Sequence, residues 1–347
     1  MDRGNGKLEN ERKDSIMKNK KLLELICKRL LSETSELKDN GLSEGRMGVI
    51  LFLYNYAKLI NLENIREIAD DLIDNAWESI HQNNHSNYFY TGHSGIAWVL
   101  SELGRKGYLD MDDIVNSYVE SIDFYILREQ KTQIPVLIDM ESGLFISGIY
   151  LLSRSGFSEL NLIENYSWRE NAIYLIEDCE RILYKGTNCN NIFLPKLSLN
   201  LLNSILYYLI NVHNRKIYPY KTRILIKYIY SLLIEILEQS NIQDIITSKC
   251  LLSIINEDIP FHDMSMIDWY IYQSWEQDEN IWSILAESGL YTLLYNNKSI
   301  FEKVYSMALE NNSGCINLLY NRLVEQEKIS IKTALWIAHG LVAISEK

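Results

Sequence analysis

Apolar and polar residues along the chain follow two alternating patterns, and both have the period of a helix. In the first pattern, apolar residues recur every three or four positions and charged residues occupy the opposite face, as in residues 65–80. Residues 114–126 and 173–183 repeat it. In the second pattern nearly every position is apolar, which is typical of a helix buried on all sides. The alternation predicts an outer layer of half-exposed helices and an inner layer of buried ones.

Glycine-containing turns open the fully apolar helices, and they recur along the chain. The clearest copies span Gly41–Tyr54 and Tyr90–Leu100, and each has a Gly-x-x-Gly step before the apolar run. Glycine allows a tight turn and close backbone approach. Fainter copies lie at 141–152, 200–209, 285–294 and 338–344. Six copies at intervals of roughly fifty residues, one of them longer, predict an all-α fold of two concentric helix rings or an open arc of the same units.

The composition favours a single, mostly helical domain. The chain has 347 residues, 47% of them hydrophobic, with only four prolines and sixteen glycines, and no Pro/Gly-rich linker divides it. We therefore expect one domain over residues 17–347. Residues 1–16 are polar and charged, and we expect them to be disordered.

Charge and cysteine usage narrow the range of partners and compartments. The chain has 34 basic and 46 acidic residues, a net charge of −12, which argues against a nucleic-acid partner and suits a cationic peptide better. The cysteines are scattered, form no C-x-x-C pair and indicate a reducing cytoplasm. No apolar run reaches the roughly eighteen residues of a membrane span. The five cysteines are Cys27, Cys179, Cys189, Cys250 and Cys315.

Candidate functional residues lie in or just before the glycine turns. In a ring of helix pairs these turns gather at one end, so their side chains would face a shared central depression. Some of these residues could instead have a purely structural role. His93 could cap a helix or be solvated, and Asp139 and Glu141 could stabilise a helix N-terminus. The candidates are Arg46, His93, Asp139, Glu141, Asn200, Glu287 and His339.

The repeated turn and apolar helix resemble the lanthionine synthetase C-like family of lanthipeptide cyclases, best over residues 41–152. The resemblance implies an α/α toroid with a central zinc ion, held by two cysteines and one histidine. In the family, this zinc activates a cysteine thiolate of a precursor peptide, which adds to a dehydrated serine or threonine and closes a thioether ring. Family members usually have seven repeats; we expect about six here, with the seventh missing.

The two zinc-binding motifs of the family are altered in this chain. The stretch beginning at Trp282 resembles the first motif, but Ile284 stands in the cysteine position. In Trp336–Gly340, which resembles the second, Ala338 replaces the cysteine while His339 is kept. Zinc needs three protein ligands in such a site, and thiolates supply most of the affinity. We therefore predict no metal and no cofactor.

Two other positions of the family's active site also bear on function. Asn200 replaces a histidine of the fourth repeat, and the aspartate of the third repeat corresponds to Asp139 or, with a shifted register, Glu141. We take Asp139 and His339 as the candidate catalytic residues. The candidate substrate-binding residues are Arg46, His93, Glu141, Asn200, Trp282 and Glu287.

The sequence thus predicts a cytoplasmic protein of modified-peptide biosynthesis, which binds a precursor peptide or a peptide-modifying enzyme without closing rings. Two enzymatic alternatives stay open. One is an active cyclase with a zinc site made by other residues, and the other is a metal-free α/α-barrel enzyme that uses carboxylates such as Glu287 as acid and base. A plain helical scaffold, with Trp282 and Trp336 in its core, is a further alternative.

Overall fold

The structure is a computed structural model, and within the residues that it describes the regular elements are helices, with no strand. The described residues are 3–34, 37, 39–43, 45–80, 88–132, 144–154, 162–185, 198–236, 248, 251–252, 285–286, 288–290, 292–293, 298, 301–302, 304–306, 319–321, 323 and 329–346.

Ten long helices are described along the chain. Helix α1 begins inside the segment 1–16 that the sequence predicts to be disordered; this segment is rich in lysine, arginine and glutamate, which are good helix formers. Shorter helical pieces lie within residues 285–293, 301–306 and 319–323. The helices are α1 (Arg3–Thr34), α2 (Arg46–Ile60), α3 (Glu63–Ile80), α4 (His93–Arg105), α5 (Asp113–Thr132), α6 (Leu144–Arg154), α7 (Leu162–Lys185), α8 (Leu199–Asn214), α9 (Pro219–Ile236) and α10 (Ile331–Ser345).

The chain divides into two compact units. The first unit comprises Met1–Asp39, Ser43–His81 and Gln277–Lys347, and it contains α1, α2, α3 and α10. The second unit comprises Asn40–Leu42 and Gln82–Glu276, and it contains α4 to α9. The single domain over residues 17–347 stays a prediction.

In the first unit, buried and half-exposed helices pair as the sequence predicts. Residues 47–57 of α2 and 334–342 of α10 are buried without interruption. Helix α3 buries one stripe, formed by Ala69, Ile73, Ala76 and Ile80. The hydroxyl of Tyr54 on α2 donates a hydrogen bond to Asp70 on α3. The two predicted helix classes are therefore confirmed here.

The second unit repeats the arrangement. Residues 94–103 of α4 are buried throughout, and α8 is buried over most of its length. Helix α9 buries one face only. Two residues that the sequence pattern assigns to buried stripes are exceptions, because Ile114 is 64% exposed and Ile173 is 38% exposed. In both helices an adjacent residue is buried instead, Val115 in α5 and Ala172 in α7, so the buried stripe begins one position from the predicted start.

Buried tyrosines tie the inner helices of the second unit to the outer ones. Tyr150 of α6 donates to Asp123 Oδ1 of α5 at 2.5 Å, and Tyr208 of α8 donates to the carbonyl of Ala172 in α7 at 3.2 Å. Each bond satisfies a hydroxyl that would otherwise be buried without a partner, which is costly. These bonds fix the rotation of each inner helix against its neighbour.

Three inner helices end in the same way, with a residue in the left-handed region. Asn61 follows α2 with φ 53°, Gly107 follows α4 with φ 71° and Lys216 follows α8 with φ 58°. In each turn an amide bonds back to a carbonyl five residues earlier, as in Ile217 N–H to the Val212 carbonyl at 3.1 Å. This is the Schellman motif, in which glycine adopts the left-handed conformation with the least steric strain.

No helix in the described part of the chain is both long enough and apolar enough to cross a membrane.

Candidate functional site

The glycines of the first two turns allow two backbone segments of the second unit to touch. A Cβ on Gly41 would stand 2.7 Å from the Cα of Thr91 and 2.7 Å from the carbonyl oxygen of Tyr90. A Cβ on Gly95 would clash with the carbonyl of Phe89. No side chain fits at either position, so the prediction that these glycines are packing devices is confirmed.

Two glycines of the late copies serve the same purpose in the first unit. A Cβ on Gly289 would clash with the carbonyl of Trp336, and one on Gly340 would clash with the ring of Phe301. Helix α10 is therefore held closely by the helical pieces that precede it. This contact fixes the position of the segment that resembles the family's second zinc-binding motif.

His339 lies in the middle of α10 and is 4% exposed. Its imidazole packs edge-on against Phe52 of α2, with ring centroids 6.0 Å apart and an interplanar angle of 88°. The preceding residue, Ala338, is fully buried at 0% exposure. Trp336 is 5% exposed, and the ammonium of Lys332 stands 4.8 Å from its ring centroid. The ring of His339 is thus buried and in contact with the ring of Phe52.

The donor atoms at the matched positions do not fit a zinc site. Ala338 contributes a buried methyl group where the family has a thiolate, and Ile284, which lies outside the described residues, has no donor atom in its side chain. One histidine is then left of the three ligands that zinc needs. A search of the described residues for three neighbouring His, Cys, Asp or Glu side chains that could hold a metal ion finds none.

Arg46 is the first residue of α2, and its contacts are with neighbours in the first unit. Its amide donates to the carbonyl of Asp39 at 3.0 Å, which closes the turn before the helix. Its guanidinium reaches Ser79 Oγ on α3, with Nη1 at 3.4 Å. The side chain is partly buried. Arg46 therefore bridges the entry turn and the outer helix, and its predicted substrate contact stays a prediction.

His93 is held by an outer helix of the second unit. Its Nδ1 lies 2.8 Å from the hydroxyl of Tyr118 on α5. Burial raises the pKa of Tyr118 well above its usual value, so the phenol stays protonated at neutral pH and can donate to Nδ1. This bond fixes the tautomer and orientation of the imidazole. Sequence reasoning missed Tyr118, because no spacing rule connects it to His93.

Asn200 lies in the first turn of α8, and its side chain is exposed. Ser198 caps this helix by accepting from the amide of Leu201 at 3.2 Å. The carbonyl of Asn200 accepts from Ser204 Oγ at 3.0 Å. The amide side chain of Asn200 is thus exposed to solvent at a helix end that Ser198 already caps.

The remaining candidates are not covered by the described residues, so their roles stay predictions. Arg46 and His339 lie in the first unit, and His93 and Asn200 lie in the second. The candidates outside the described residues are Asp139, Glu141, Trp282 and Glu287.

One charged surface was missed by the sequence reasoning, which used the total charge of the chain. No Asp or Glu stands between Glu180 and Glu235. Helix α9 and the turn before it lie in this acid-free stretch, and several of their basic side chains are exposed. A local charge count would have found it.

Comparisons with known proteins agree with the fold and with the resemblance of the first repeats. Residues 36–186 match the family described as lanthionine synthetase C-like protein. The solved structure of nisin cyclase is similar at 13% sequence identity and a TM-score of 0.51, over 92% of this chain and 97% of that one. No curated protein sequence matches significantly. The likeness to nisin cyclase confirms the all-α toroid fold, and the number of repeats stays a prediction.

Proposed function

We propose that this chain, a member of the lanthionine synthetase C-like family, binds peptides and does not close rings. The family match covers residues 36–186, and the family belongs to lanthipeptide-type biosynthesis. The partner of this chain is a precursor peptide or a peptide-modifying enzyme. Its role is to hold that partner, and zinc-dependent thioether formation is not part of it.

The observation that carries the proposal is the pair Ala338 and His339. In the family, zinc supplies the Lewis acidity that turns the substrate thiol into a thiolate at neutral pH. Here a buried methyl group replaces one thiolate ligand, and the imidazole of His339 packs edge-on against Phe52. Ala338 is fully buried, and its side chain has no donor atom for a metal ion.

The retained frame supports a binding role. Gly41, Gly95 and Gly289 each allow close contact with a neighbouring backbone segment, so the close helix packing is kept although the zinc thiolates are absent. A protein that keeps this packing and lacks the zinc thiolates is suited to recognition. We also propose a cytoplasmic location, which the buried free thiols of Cys27 and Cys179 support.

The test is the metal content and ring-closing activity of the purified, untagged protein. The wild type and His339→Ala are measured side by side, with His339→Gln as a variant of similar size. We expect less than about 0.1 zinc per chain in all three, since one histidine is far from the three ligands of a zinc site. We also expect no thioether product from a synthetic peptide that contains dehydroalanine and cysteine.

Stoichiometric zinc in the wild type, lost in both His339 variants, would overturn the proposal, and so would robust thioether formation. The peptide's binding is measured separately by calorimetry. Binding without ring closure supports the proposed role. An absence of both binding and ring closure, with the helical circular dichroism intact, would leave a plain scaffold and end the peptide-binding proposal.

A further inference from the structure

Positive charge is concentrated in one segment of an otherwise acidic chain. The net charge of the whole chain is −12, yet no acidic residue stands between Glu180 and Glu235. The basic residues of the turn before α9 and of α9 itself are Arg215, Lys216, Lys221, Arg223 and Lys227. Such segregation creates a local positive potential that the total charge conceals.

Helix α9 presents part of this charge on its solvent face. Arg223 and Ile224 are adjacent, and each lies three or four residues from both Tyr220 and Lys227, so the four share one face of the helix. All four are exposed. Tyr220 is 77% exposed and Ile224 is 42% exposed. The opposite face is buried, so α9 cannot rotate to hide these side chains. Its buried residues are Thr222, Leu225, Ile226, Ile229 and Leu233.

Helix α7 borders this face and modifies it. Tyr184 of α7 stacks on Tyr228 of α9, with ring centroids 4.5 Å apart, and Tyr184 is still 49% exposed. Glu180 of α7 forms an ion pair with Lys221, with Nζ 2.6 Å from Oε2. Lys221 is therefore largely neutralised. Among the neighbouring basic residues, Arg215, Lys216, Arg223 and Lys227 are exposed to solvent.

We propose that this surface, hereafter the α9 face, binds an acidic peptide segment that also carries apolar side chains. Arg223 and Lys227 would meet carboxylates of the peptide, since arginine and lysine recognise carboxylates by charge-assisted hydrogen bonds. Tyr184, Tyr220 and Ile224 would contact its apolar side chains; exposed tyrosines give a large contact area at a low entropy cost. The α9 face is formed by Tyr184, Lys216, Tyr220, Arg223, Ile224 and Lys227.

The charge pattern favours a peptide over a nucleic acid or a membrane surface. Glu177 and Glu180 of α7 lie beside Lys221, so the positive stretch is short. A few exposed cations can meet a few carboxylates, whereas a nucleic acid presents a long, regular run of phosphates. Ile224, 42% exposed, offers little aliphatic surface for insertion into a bilayer. To bind a short acidic peptide, the surface needs only a few cations with apolar side chains between them. The proposal goes beyond the function proposed above, because it assigns a peptide of stated chemistry to a particular surface and does not depend on His339.

The test is fluorescence anisotropy with a labelled synthetic peptide of about fifteen residues in which Glu alternates with Leu and Phe. A matched peptide carries Gln in place of Glu. We expect the full-length protein to bind the Glu peptide at least about tenfold more tightly than the Gln peptide, a difference of about 1.4 kcal/mol. Raising the ionic strength from about 0.05 M to about 0.3 M should weaken binding several-fold, because exposed charges are screened.

The decisive variant is Arg223→Glu combined with Lys227→Glu, which should weaken binding of the Glu peptide at least about tenfold. Its matched control is Lys18→Glu with Lys20→Glu, which changes the total charge equally at exposed positions of α1. To test the apolar contacts with the peptide, Tyr220→Ala should weaken binding about threefold or more. Phe124→Ala is the control, because Phe124 is 68% exposed on α5, outside the α9 face, and it should have no effect.

Each other outcome overturns the proposal. These are an absence of binding to the Glu peptide, equal losses in the α9 and α1 double variants, and tighter binding to a single-stranded oligonucleotide or to phosphatidylserine vesicles than to the peptide. Since all substituted residues are exposed, helical circular dichroism should be unchanged, and it is recorded for every variant to confirm the fold.

Discussion

Gly289 lies so close to the carbonyl oxygen of Trp336 that a methyl group on Gly289 would stand less than 3.0 Å from that atom. The neighbour is backbone within α10 and cannot move aside. We therefore expect Gly289→Ala to lower the free energy of unfolding by about 3 kcal/mol, the upper part of the range for overpacking. The measurement is urea unfolding followed by circular dichroism.

Gly104→Ala is the matched control for this prediction. There the nearest atoms to an added Cβ belong to the side chain of Met111, which is flexible and partly exposed. Alanine also favours the helix over glycine by about 1 kcal/mol, so the net change should be near zero. Equal losses in both variants would mean that the Gly289 contact does not limit the packing of α10.

The helix classes and the turns were predictable because each leaves a local mark in the sequence. Buried helices are apolar at nearly every position, and glycine stands where two backbones touch. The partner of each contact was not predictable. The approach of Gly289 to Trp336 and the bond between His93 and Tyr118 depend on how the helices rotate against one another, which the periodicity of a single helix does not specify.

The residues of the candidate site were predictable only where the sequence matches a motif of the family. His339 was found because its neighbours Trp336 and Gly340 match a family pattern, and its burial is consistent with an interior position. The α9 face was missed, because averaging charge over the whole chain hides a local excess. The roles of the matched residues were not predictable from the motif alone, since chemistry depends on distances that sequence spacing does not give.

Asp123 holds a partly buried ion pair and a buried hydroxyl in the second unit. Arg154 lies 3.1 Å from Asp123 Oδ2, with both side chains 13% exposed, and Tyr150 donates to Oδ1 at 2.5 Å. We expect Asp123→Ala to cost about 3–5 kcal/mol, because it leaves the arginine without its counter-charge. Tyr150→Phe should cost about 1–2 kcal/mol, since it removes one hydrogen bond and keeps the ring.

Chemical denaturation of the two variants decides between this account and a purely apolar role for Tyr150. Glu24→Ala is the control, because its ion pair with Lys28 is exposed on α1, and we expect no measurable change there. If Tyr150→Phe were neutral while Asp123→Ala stayed costly, the hydroxyl would contribute nothing to the network.

The pair His93 and Tyr118 should behave as one unit in a double-mutant cycle. Their side chains are joined by a bond of 2.8 Å between Nδ1 and the hydroxyl. We expect His93→Ala and Tyr118→Phe each to cost about 1 kcal/mol, and the double variant to cost less than the sum by about 1 kcal/mol. Additive costs would show that the contact carries no energy of its own and would leave His93 free for a role toward substrate.

Stability should fall at alkaline pH, in part through Cys27. Burial raises the pKa of this thiol from 9.0 to about 11. Between these two values the unfolded chain loses the proton and the folded chain keeps it, so the free energy of unfolding decreases as pH rises through that window. From pH 8 to pH 10 the loss through this group is about 1 kcal/mol.

Urea unfolding at pH 8 and pH 10, in the wild type and in Cys27→Ala, measures this contribution. The variant should be less stable at both values because a buried side chain has been shortened. Its loss between the two pH values should be smaller than that of the wild type by about 1 kcal/mol. The same pH dependence in both proteins would assign the alkaline loss to other groups.

Lys216 adopts a backbone conformation that suits glycine better, with φ 58° at the end of α8. Its amide bonds to the carbonyl of His213 at 2.8 Å, and a glycine would keep this bond and relieve the crowding of the Cβ. We expect Lys216→Gly to raise the free energy of unfolding by about 0.5–1 kcal/mol. Asn61→Gly, at φ 53° after α2, should gain less, because asparagine tolerates this region. Thermal unfolding of both variants tests the ranking.

A loss of stability in Lys216→Gly would mean that the lysine side chain itself stabilises the turn. In that case Lys216→Arg, which keeps the positive charge, should match the wild type.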